Sequence, residues 1–471
     1  MEAFKQQTDQ STPLHIVILA AGMGSRMKSR RPKILHEVAG KSLLGHVIDA
    51  ALPLAPTSIQ IVVGHGKDQV IEAFSDLDKQ ISFVEQEQQL GTGHAVQVAM
   101  PTIAAESRVL VLTADVPLIK SNTLQAVSEQ LLAHSLCLLT AKVGDPTGLG
   151  RIVRDDDGMP AAIVEEKDAS PSQRTINEIN SGIMAMRADR LKDWLSRIGN
   201  DNAQQEFYLT DIVALAVEDG DPITTVTATH EREVQGINTR LQLAEVERTW
   251  QRQNAEQLML DGVTLADPNR LDVRGNLTVG KDTFIDANVI FEGQVTLADS
   301  VHIASHCVIK NTEIGSGTFI HEHSVVDGAV IGENANVGPF ARLRPGTKLS
   351  DEVRIGNFVE TKSALLDAGA KVNHLSYVGD ATVGKNTNIG AGVITCNYDG
   401  ANKHQTDIGE NVFVGSDSQL VAPVKIGDGA TVGAGSTITS EVQAGQLAIS
   451  RGRQRMIDDW QRPEKEPKKK D

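Results

Sequence analysis

Two cations follow a glycine turn close to the start of the chain. In LHIVILAAGMGSRMKSRRPKIL, an apolar run leads into Gly22 and Gly24, and Arg26 and Lys33 come next. The backbone N–H groups of such a turn can bind an anion, and two cations suit the phosphates of a nucleoside triphosphate. A Walker A loop is excluded because its GK[ST] is missing, and a dinucleotide fingerprint because Met27 replaces its third glycine. The alternative, a purely structural turn, stays open at this point.

A carboxylate ends a second apolar run. In VLTADVP, Asp115 lies at the C-terminal end of a predicted central strand. An aspartate at this position often only caps a turn. Beside a phosphate site it is a candidate Mg²⁺ ligand, because Mg²⁺ takes few carboxylates together with phosphate oxygens. The glycine loop QLGTGHA, residues 89–95, suits a base or a sugar, although by itself it indicates only a helix N-terminus.

A histidine in the second half of the chain is a candidate base. His374 lies in the segment NHLSYVGD. A neutral imidazole, with its usual pKa of about 6.5, can accept a proton from an amine that attacks an acyl group. A single histidine is more often a packing or surface residue, so its surroundings must decide between the two interpretations.

The first half of the chain predicts an α/β domain that would position the glycine turn. From residue 14 to about residue 240, apolar runs such as HIVILA and RVLVLTAD alternate with helical patterns such as KDQVIEAF. This alternation indicates a mostly parallel, Rossmann-like sheet with flanking helices. Ligands bind beyond the carboxyl ends of such strands, where the glycine turn and Asp115 both lie. The stretch TRLQLAEVERTWQRQNAEQLML then predicts a linking helix.

The second half shows a period of six residues, which fits neither a helix nor a heptad. It is typical of a parallel β-helix of hexapeptide repeats. The register breaks near Ile314 and Ile331, in NHLSYVGD and in ITCNYDGANKHQTD, and a long insertion in a solenoid is usually a functional loop. Two series of aliphatic and aromatic residues carry the period: Val279, Ile285, Phe291, Leu297, Ile303 and Ile309, then Ile408, Val414, Leu420, Ile426, Val432 and Ile438.

Bulk composition narrows the class of protein. The 471 residues carry a formal net charge of −16, which argues against nucleic-acid or membrane-surface partners. Three widely spaced cysteines predict a reducing compartment rather than a disulfide framework. The polar start MEAFKQQTDQSTP has no apolar h-region, so we do not expect it to act as a signal peptide, and no apolar stretch reaches the length of a membrane span. We therefore expect a cytoplasmic protein.

These motifs together resemble a known family. LAAGMGSRM…RPK is similar to the signature of sugar-1-phosphate nucleotidyltransferases. With QLGTGHA, DPTGLGRIV, IVEEKDA, EINSGI and GINTR, the first half resembles the bifunctional UDP-N-acetylglucosamine pyrophosphorylases/glucosamine-1-phosphate N-acetyltransferases. The second half resembles their acetyltransferase domain through GPFARLRPG, IGNFVETK, NHLSYVGD, NIGAGVITCNYDGANKHQT and VFVGSDSQLVAPV. The resemblance covers about residues 14–451.

The resemblance implies a role for each motif of the first domain. Arg26 and Lys33 face the phosphates of UTP, and Asp115 and Asn238 hold Mg²⁺. N-acetylglucosamine 1-phosphate attacks the α-phosphate in line, and pyrophosphate leaves. The other implied contacts are Leu19, Ala20, Ala21 and Gly22 with uridine and phosphate, Gln86, Gly91 and Thr92 with uracil, and Gly150, Glu165 and Asn180 with the amino sugar.

One departure from the family pattern concerns the residues before the metal aspartate. The family commonly has Tyr-Gly there, whereas this chain has Thr113 and Ala114. Alanine can replace glycine where φ is negative, so we expect activity to be retained, while the exact contact to sugar or ribose stays open.

For the second domain, the resemblance implies acetyl transfer from acetyl-CoA to glucosamine 1-phosphate. His374 is the catalytic base, and Glu360 either polarises it or contacts the sugar. The implied contacts are Arg344 and Lys362 with the sugar phosphate, Tyr377 and Asn388 with the sugar, and Ala391, Asn397, Tyr398, Ser416, Ala434 and Arg451 with acetyl-CoA.

The expected organisation has four parts. Residues 1–240 form the uridylyltransferase, 241–261 a helical linker, 262–451 the left-handed β-helix, and 452–471 a charged, disordered tail. The resemblance also implies a homotrimer. Two other interpretations stay open: a nucleotidyltransferase whose β-helix only regulates or assembles, and a non-enzymatic scaffold with a nucleotide-sensing domain.

Overall fold

The chain divides into two compact units in the computed structural model, which describes residues 12–76 and 80–463. The first unit ends at Asn254 and the second begins at Ala255. The polar start that argued against a signal peptide lies largely outside the described residues, as does the end of the expected disordered tail. Residues 452–463 form neither helix nor strand.

In the part of the chain that the structure describes, eleven strands and seven α-helices build the first unit and the connection that follows it. The strands are β1 (Leu14–Leu19), β2 (Glu37–Val38), β3 (Lys41–Ser42), β4 (Ser58–Val63), β5 (Ile81–Glu85), β6 (Arg108–Thr113), β7 (Leu136–Lys142), β8 (Arg151–Arg154), β9 (Pro160–Val164), β10 (Glu178–Arg187) and β11 (Ile223–Thr227). The helices are α1 (Leu43–Ala51), α2 (Lys67–Ala73), α3 (Thr92–Ala99), α4 (Ser121–Glu129), α5 (Ala188–Arg197), α6 (Ile212–Glu218) and α7 (Arg240–Leu260).

The main sheet confirms the predicted mostly parallel architecture. Its order is β11-β7-β10-β6-β1-β4-β5, and β10 alone on this path runs antiparallel to its neighbours. Strands β8 and β9 form a hairpin attached to β10. Separate hydrophobic clusters cover the two faces of the sheet. The carboxyl ends of β1, β4, β5 and β6 therefore share one edge.

Helix α7 is the predicted linking helix. Its N-terminal half belongs to the first unit, because Val246 is buried against Met27, Val38 and Ile237, with Trp250 packed beside them. The compact unit consequently extends beyond residue 240, the boundary expected from the sequence.

The second unit is a β-helix of short parallel strands, consistent with the predicted left-handed hexapeptide fold. Eleven strands form one sheet, here the short-strand sheet: Thr264–Leu265, Phe284–Ile285, His302–Ile303, Phe319–Ile320, Asn336–Val337, Arg354–Asn357, Lys371–His374, Asn388–Ile389, Phe413–Val414, Thr431–Val432 and Leu447–Ala448.

Fourteen strands form the other sheet, here the long-strand sheet, in which the longest strands continue around a corner of the coil. They are Leu271–Val279, Val289–Leu297, Val308–Ile314, Val325–Asp327, Val330–Ile331, Arg342–Leu343, Lys348–Leu349, Glu360–Leu366, Tyr377–Val383, Ile394–Cys396, Thr406–Ile408, Gln419–Val421, Val424–Ile426 and Thr437–Ile438.

The six-residue period marks the side chains that fill the coil. Eleven of the twelve residues in the two series are buried, and Val279 at the start is half-buried. Two predicted breaks are confirmed as five-residue steps, from Ile309 to Ile314 and from Val326 to Ile331. Pairing in parallel register sets these spacings, because each coil must bring its strand beside the one before.

Two further breaks concern the candidate catalytic segment. In NHLSYVGD the step from Val372 to Val378 keeps six residues, and the shortened step of five residues begins at Val378, inside the predicted segment, and ends at Val383. The predicted insertion is confirmed at 397–405, where Tyr398 pairs with Lys403 in an antiparallel bridge. In the described residues, no helix is long and apolar enough to cross a membrane.

Candidate active sites

The glycine turn places Lys33 beside the end of β1. Gly24 has φ +59°, and a Cβ added there would lie 2.7 Å from the Lys33 Cβ. The turn is fixed from the other side as well, because the Gln89 side chain donates to the Ala21 carbonyl at 2.8 Å. Glycine is therefore required at position 24 for two reasons, its backbone conformation and its contact with Lys33.

Four predicted residues converge at this carboxyl edge. Lys33 Nζ donates to Asp115 Oδ2 at 2.5 Å and to Asn238 Oδ1 at 3.1 Å. Arg26 also donates to Asn238 Oδ1, at 3.0 Å. The backbone fixes the arrangement, since the Ile237 amide donates to the Asp115 carbonyl at 3.0 Å. Two cations thus meet two oxygen ligands at the sheet edge where a phosphate can bind.

The oxygens of Asp115 and Asn238 are the donor set that a hard divalent cation prefers. Both contact the same ammonium group, so they point to one place. Across residues 12–76 and 80–463, no three His, Cys, Asp or Glu side chains are grouped to hold a metal on their own. A site with one carboxylate and one amide fits an ion that takes its other ligands from phosphate and water.

The predicted uracil residues also come together. The buried Gln86 side chain donates to the Gly91 carbonyl at 3.0 Å and contacts His94 Nδ1 at 3.0 Å. The Thr92 hydroxyl accepts from the Leu209 amide at 3.0 Å. A Cβ at Gly91 would lie 2.6 Å from the Phe207 carbonyl oxygen, so only glycine fits there.

Gly150, Glu165 and Asn180 form a third group. The Asn180 amide donates to the Gly150 carbonyl at 2.9 Å. A Cβ at Gly150 would lie 3.3 Å from Glu165 Oε1, so the carboxylate faces the glycine backbone. Burial, together with the nearby Asp168 and Asp211 carboxylates, raises the pKa of Glu165. The group offers backbone and side-chain acceptors in a partly desolvated place.

Thr113 and Ala114 occupy the predicted positions between β6 and Asp115. The Ala114 amide donates to the Leu19 carbonyl at 3.1 Å, and Ala114 is buried. Ala114 is not among the residues with positive φ, which agrees with the expected tolerance for alanine. Among the described residues, the buried Thr113 hydroxyl oxygen has no hydrogen-bond partner, and its methyl group limits the space at Gly182.

In the second unit, His374 ends a strand of the short-strand sheet and its ring is tethered. His374 Nδ1 lies 2.9 Å from the Asn357 side-chain oxygen, its neighbour in the parallel ladder. Because an amide oxygen only accepts, this contact favours the tautomer with hydrogen on Nδ1 and a free lone pair on Nε2. Glu360, which the sequence offered as a partner, instead pairs with Arg344 at 2.8 Å.

A cluster of cations is formed by Lys362 of the long-strand sheet, Arg344 just after a strand of that sheet, and Lys403 of the 397–405 insertion. The Lys403 ammonium beside Lys362 lowers the pKa of Lys362, and Arg344 adds to this effect. Close cations without a matching number of carboxylates indicate a place for an anion. Lys403 was not predicted from the sequence. It comes from the 397–405 insertion, whose irregular sequence was the available signal.

Polar groups border this cation cluster. Asn397 Nδ2 donates to Asp380 Oδ2 at 2.5 Å and contacts the Tyr377 hydroxyl at 3.4 Å. Asn388, the other predicted sugar residue, lies on the short-strand sheet in register with Lys371, so the structure does not place it in this group. Tyr398 is exposed, and its hydroxyl donates to the Gly400 carbonyl at 2.6 Å.

The predicted residues Ala391, Ser416, Ala434 and Arg451 continue from His374 in a row along one corner of the β-helix, here the corner row. Each step is one coil, and each is marked by a hydrogen bond to the next coil. The bonds run from the Gly392 amide to the His374 carbonyl at 3.3 Å, the Asp417 amide to the Ala391 carbonyl at 2.8 Å, the Gly435 amide to the Ser416 carbonyl at 2.8 Å, and the Arg451 guanidinium to the Ala434 carbonyl at 2.6 Å.

Comparison with known proteins shows the family to which the chain belongs. Residues 16–163 match the MobA-like NTP transferase domain, 273–360 the GMPPB C-terminal domain, and 406–440 the bacterial transferase hexapeptide repeats. The bifunctional protein GlmU of Marinobacter nauticus is 54% identical over 96% of this chain and 100% of its own length. The chain belongs to the GlmU family. The bifunctional protein GlmU of Stutzerimonas stutzeri is 55% identical over 96% of this chain and 99% of its own length.

As a GlmU family member, the chain is a bifunctional enzyme of UDP-N-acetylglucosamine synthesis, with a nucleotidyltransferase and a hexapeptide acetyltransferase. Its substrates are small nucleotides and sugar phosphates, and nucleotidyl transfer in this family requires a divalent metal ion. Among solved structures, the 4-diphosphocytidyl-2C-methyl-D-erythritol synthase of Anaerococcus prevotii covers 52% of this chain and all of its own, at 16% identity and a TM-score of 0.38.

Proposed function

We propose that the convergence of Lys33, Asp115 and Asn238 is the centre of uridylyl transfer from UTP to N-acetylglucosamine 1-phosphate. This convergence is the observation that carries the proposal, because the three residues come from distant parts of the sequence and meet at one sheet edge. The sugar phosphate oxygen attacks the α-phosphorus of UTP, the bond to the β-phosphate oxygen breaks, and pyrophosphate leaves. Arg26 and Lys33 neutralise negative charge on the phosphates during this exchange.

Asp115 and Asn238 would hold Mg²⁺, the divalent ion that their oxygens and a phosphate ligand suit best. When bound, the ion supplies further neutralisation of phosphate charge. The chain's own part is to hold the two oxygens at one point through the backbone bond between Asp115 and Ile237.

The two neighbouring groups bind the ends of the substrates in this proposal. Gln86, Gly91 and Thr92 hold uracil, with Leu19 to Gly22 along the uridine and phosphate. Gly150, Glu165 and Asn180 hold the amino sugar, and Thr113 lies between the metal aspartate and Gly182 on the sugar side. Their arrangement orients the attacking phosphate, and orientation is the main source of rate where no covalent intermediate forms.

In the second unit, His374 is the proposed base for acetyl transfer from acetyl-CoA to glucosamine 1-phosphate. Its Nε2 accepts a proton as the amine nitrogen attacks the thioester carbonyl carbon, and the proton passes to the departing thiolate when the carbon–sulfur bond breaks. Asn357 holds the ring in the required tautomer. The backbone N–H near Ala391 stabilises the oxyanion.

The cation cluster is the proposed place for the phosphate of glucosamine 1-phosphate. Arg344 and Lys362 were expected there, and the neighbouring Lys403 is added from its position beside Lys362. Tyr377, which borders this cluster, is proposed for the sugar, and Asn388 is proposed as a sugar contact from the strand next to the one that carries His374. The acetyl-CoA residues are the corner row with the insertion loop: Ala391, Asn397, Tyr398, Ser416, Ala434 and Arg451.

One assay tests both halves. Purified full-length protein is incubated with glucosamine 1-phosphate, acetyl-CoA, UTP and Mg²⁺, and UDP-N-acetylglucosamine is measured together with pyrophosphate and free thiol. Product with equal release of pyrophosphate and thiol supports the proposal. No thiol release in this reaction, together with pyrophosphate release from UTP when N-acetylglucosamine 1-phosphate is supplied instead of glucosamine 1-phosphate, would assign the β-helix a purely regulatory or assembly role. Neither activity in folded protein would leave the scaffold interpretation.

The proposed assembly is a homotrimer built through the β-helix, and the proposed compartment is the cytoplasm. Exposed apolar rings support self-association: Phe340 and Phe358 are 47% and 54% exposed, and their rings stack 5.3 Å apart. Surfaces of this kind on a soluble domain are usually covered by another chain. Sedimentation equilibrium at micromolar concentration checks this, and a monomer there would contradict it.

A further inference from the structure

We propose that Arg151, through its ion pair with Glu166, is a positioning residue for the amino-sugar phosphate in uridylyl transfer. The inference rests on the proposed function, in which Gly150 and Glu165 contact that substrate. Arg151 follows Gly150 in the sequence and Glu166 follows Glu165, so the pair joins the backbones that carry two substrate residues.

Arg151 is almost completely buried, with 1% of its surface exposed, and therefore does not itself contact substrate from solvent. Its guanidinium donates to Glu166 Oε2 at 2.6 Å and to the Arg174 carbonyl at 3.5 Å, and it also contacts the Leu149 carbonyl. One side chain thus connects its own loop, the exit of the β8–β9 hairpin and the following turn.

Glu166 completes the connection from the other side. Its Oε2 also accepts from the Gly148 amide at 3.3 Å, so one carboxylate holds the loop before Gly150 both directly and through Arg151. Hydrogen bonding from Arg151 lowers the pKa of Glu166, which keeps this carboxylate charged at neutral pH.

The fastened loop meets the sugar group at two points. The Gly150 carbonyl accepts from the Asn180 amide at 2.9 Å, and the Gly150 backbone faces Glu165. At the same residue, Arg151 is paired in the sheet with both Val164 and Ile179. Loss of the ion pair leaves a buried guanidinium uncompensated, so we expect the loop and the hairpin exit to separate. Gly150 and Glu165 then no longer present one surface to the sugar.

Steady-state kinetics of the full-length protein test the role, with Glu166→Ala and Glu166→Gln as variants. For Glu166→Ala we expect the KM for N-acetylglucosamine 1-phosphate to rise about tenfold, while the KM for UTP changes by less than about twofold. Glu166→Gln keeps an acceptor oxygen, so we expect it to restore part of the affinity. Acetyl transfer by the second unit reports on intact protein and should not change.

The matched control is Arg154→Gln. Arg154 lies at the other end of β8 and pairs with Glu178 through two bonds of 2.6 and 2.8 Å. Breaking that pair disturbs the same strand but not the Gly150 loop, so stability should fall without a selective change in the KM for the sugar phosphate. Equal effects of Arg154→Gln and Glu166→Ala on that KM would overturn the proposal and leave only a structural role.

Two other results distinguish failure of the positioning role from failure of the proposed function. A Glu166→Ala enzyme with unchanged kinetic constants would refute the positioning role while the proposed function stands. A wild-type protein without uridylyl transfer would refute the proposed function instead. If Glu166→Ala gives insoluble protein, Glu166→Gln carries the test, because its side chain keeps the shape of glutamate.

Discussion

Lys33 and Asp115, 82 residues apart in the sequence, form an ion pair of 2.5 Å in which their side chains are only 14% and 20% exposed. The Asn238 oxygen accepts from the same ammonium group. Because partial burial strengthens interactions between charges, this pair defines a preformed place for further charged groups at the carboxyl edge of the sheet.

Removal of the carboxylate should separate the two activities. We expect Asp115→Ala to lower the rate of uridylyl transfer by at least about a hundredfold, because the buried ammonium loses its partner and the metal its carboxylate ligand. Acetyl transfer should be unchanged. Pyrophosphate and thiol release measure the two reactions on one preparation. Glu37→Ala, which breaks the exposed Arg31–Glu37 pair nearby, is the control and should retain both activities.

Replacement of the proposed base should have the converse effect. We expect His374→Ala to lower acetyl transfer by about 10²- to 10⁴-fold and to leave uridylyl transfer within about twofold of wild type. The control His306→Asn changes a histidine that stacks on His323 elsewhere in the β-helix. Loss of both activities in His374→Ala would show that the two units do not act independently.

The pairing of Lys362 with Lys403 gives a pH prediction. The adjacent ammonium lowers the pKa of Lys362, so wild-type Lys362 loses its charge earlier as the pH rises. Lys403→Ala should raise that pKa and move the alkaline decline of glucosamine 1-phosphate binding to higher pH. At neutral pH, the KM of the Lys403→Ala enzyme for glucosamine 1-phosphate should increase about fivefold, because one cation is lost. Lys385→Ala, a surface lysine of the same unit, should change neither quantity.

Glu165 should show a conflict between binding and stability. Its pKa is raised above 4.5 by burial, so the folded protein disfavours the charged form. The stability that the protonated Glu165 carboxyl contributes is present at pH values below its pKa in the unfolded chain. It is lost as the pH rises through its higher pKa in the folded protein. At pH 7, Glu165→Gln should therefore unfold at a higher temperature, by about 1–3 °C, and should weaken sugar-phosphate binding. Equal melting temperatures of the two proteins at pH 7 and a difference at pH 4 would contradict this.

The fold was largely predictable because its two sequence patterns are strong and local: the alternation of apolar runs with helical patterns, and the six-residue period. The six-residue spacing identified buried positions such as Ile303 and Val414 without any knowledge of the third dimension. Strand ends identified the edge at which Lys33 and Asp115 meet, since parallel strands bring their carboxyl ends together. The exact position of the shortened step from Val378 to Val383 could not be predicted, because a five-residue turn has no distinctive residue type.

The parts of the sites that were missed depend on contacts between distant segments. Asn357 became visible as the tether of His374 only when the parallel ladder set one coil beside the next. Lys403 reaches Lys362 because the insertion folds back on itself, and no spacing in the sequence encodes that return. The partner of Arg151 was likewise hidden, since many glutamates near a hairpin could pair with it.

The corner row has a fixed length, which is set by the number of coils between His374 and Arg451. Four coil steps separate His374 from Arg451, and neighbouring parallel strands are spaced by about 4.8 Å, so the row spans about 19 Å. A ligand that reacts at one end and is anchored at the other must have an extended arm of that length. Under the proposed function, deleting or adding one coil between the ends would shift the anchor by a full strand spacing, so the number of repeats would set the length of the acyl donor that fits.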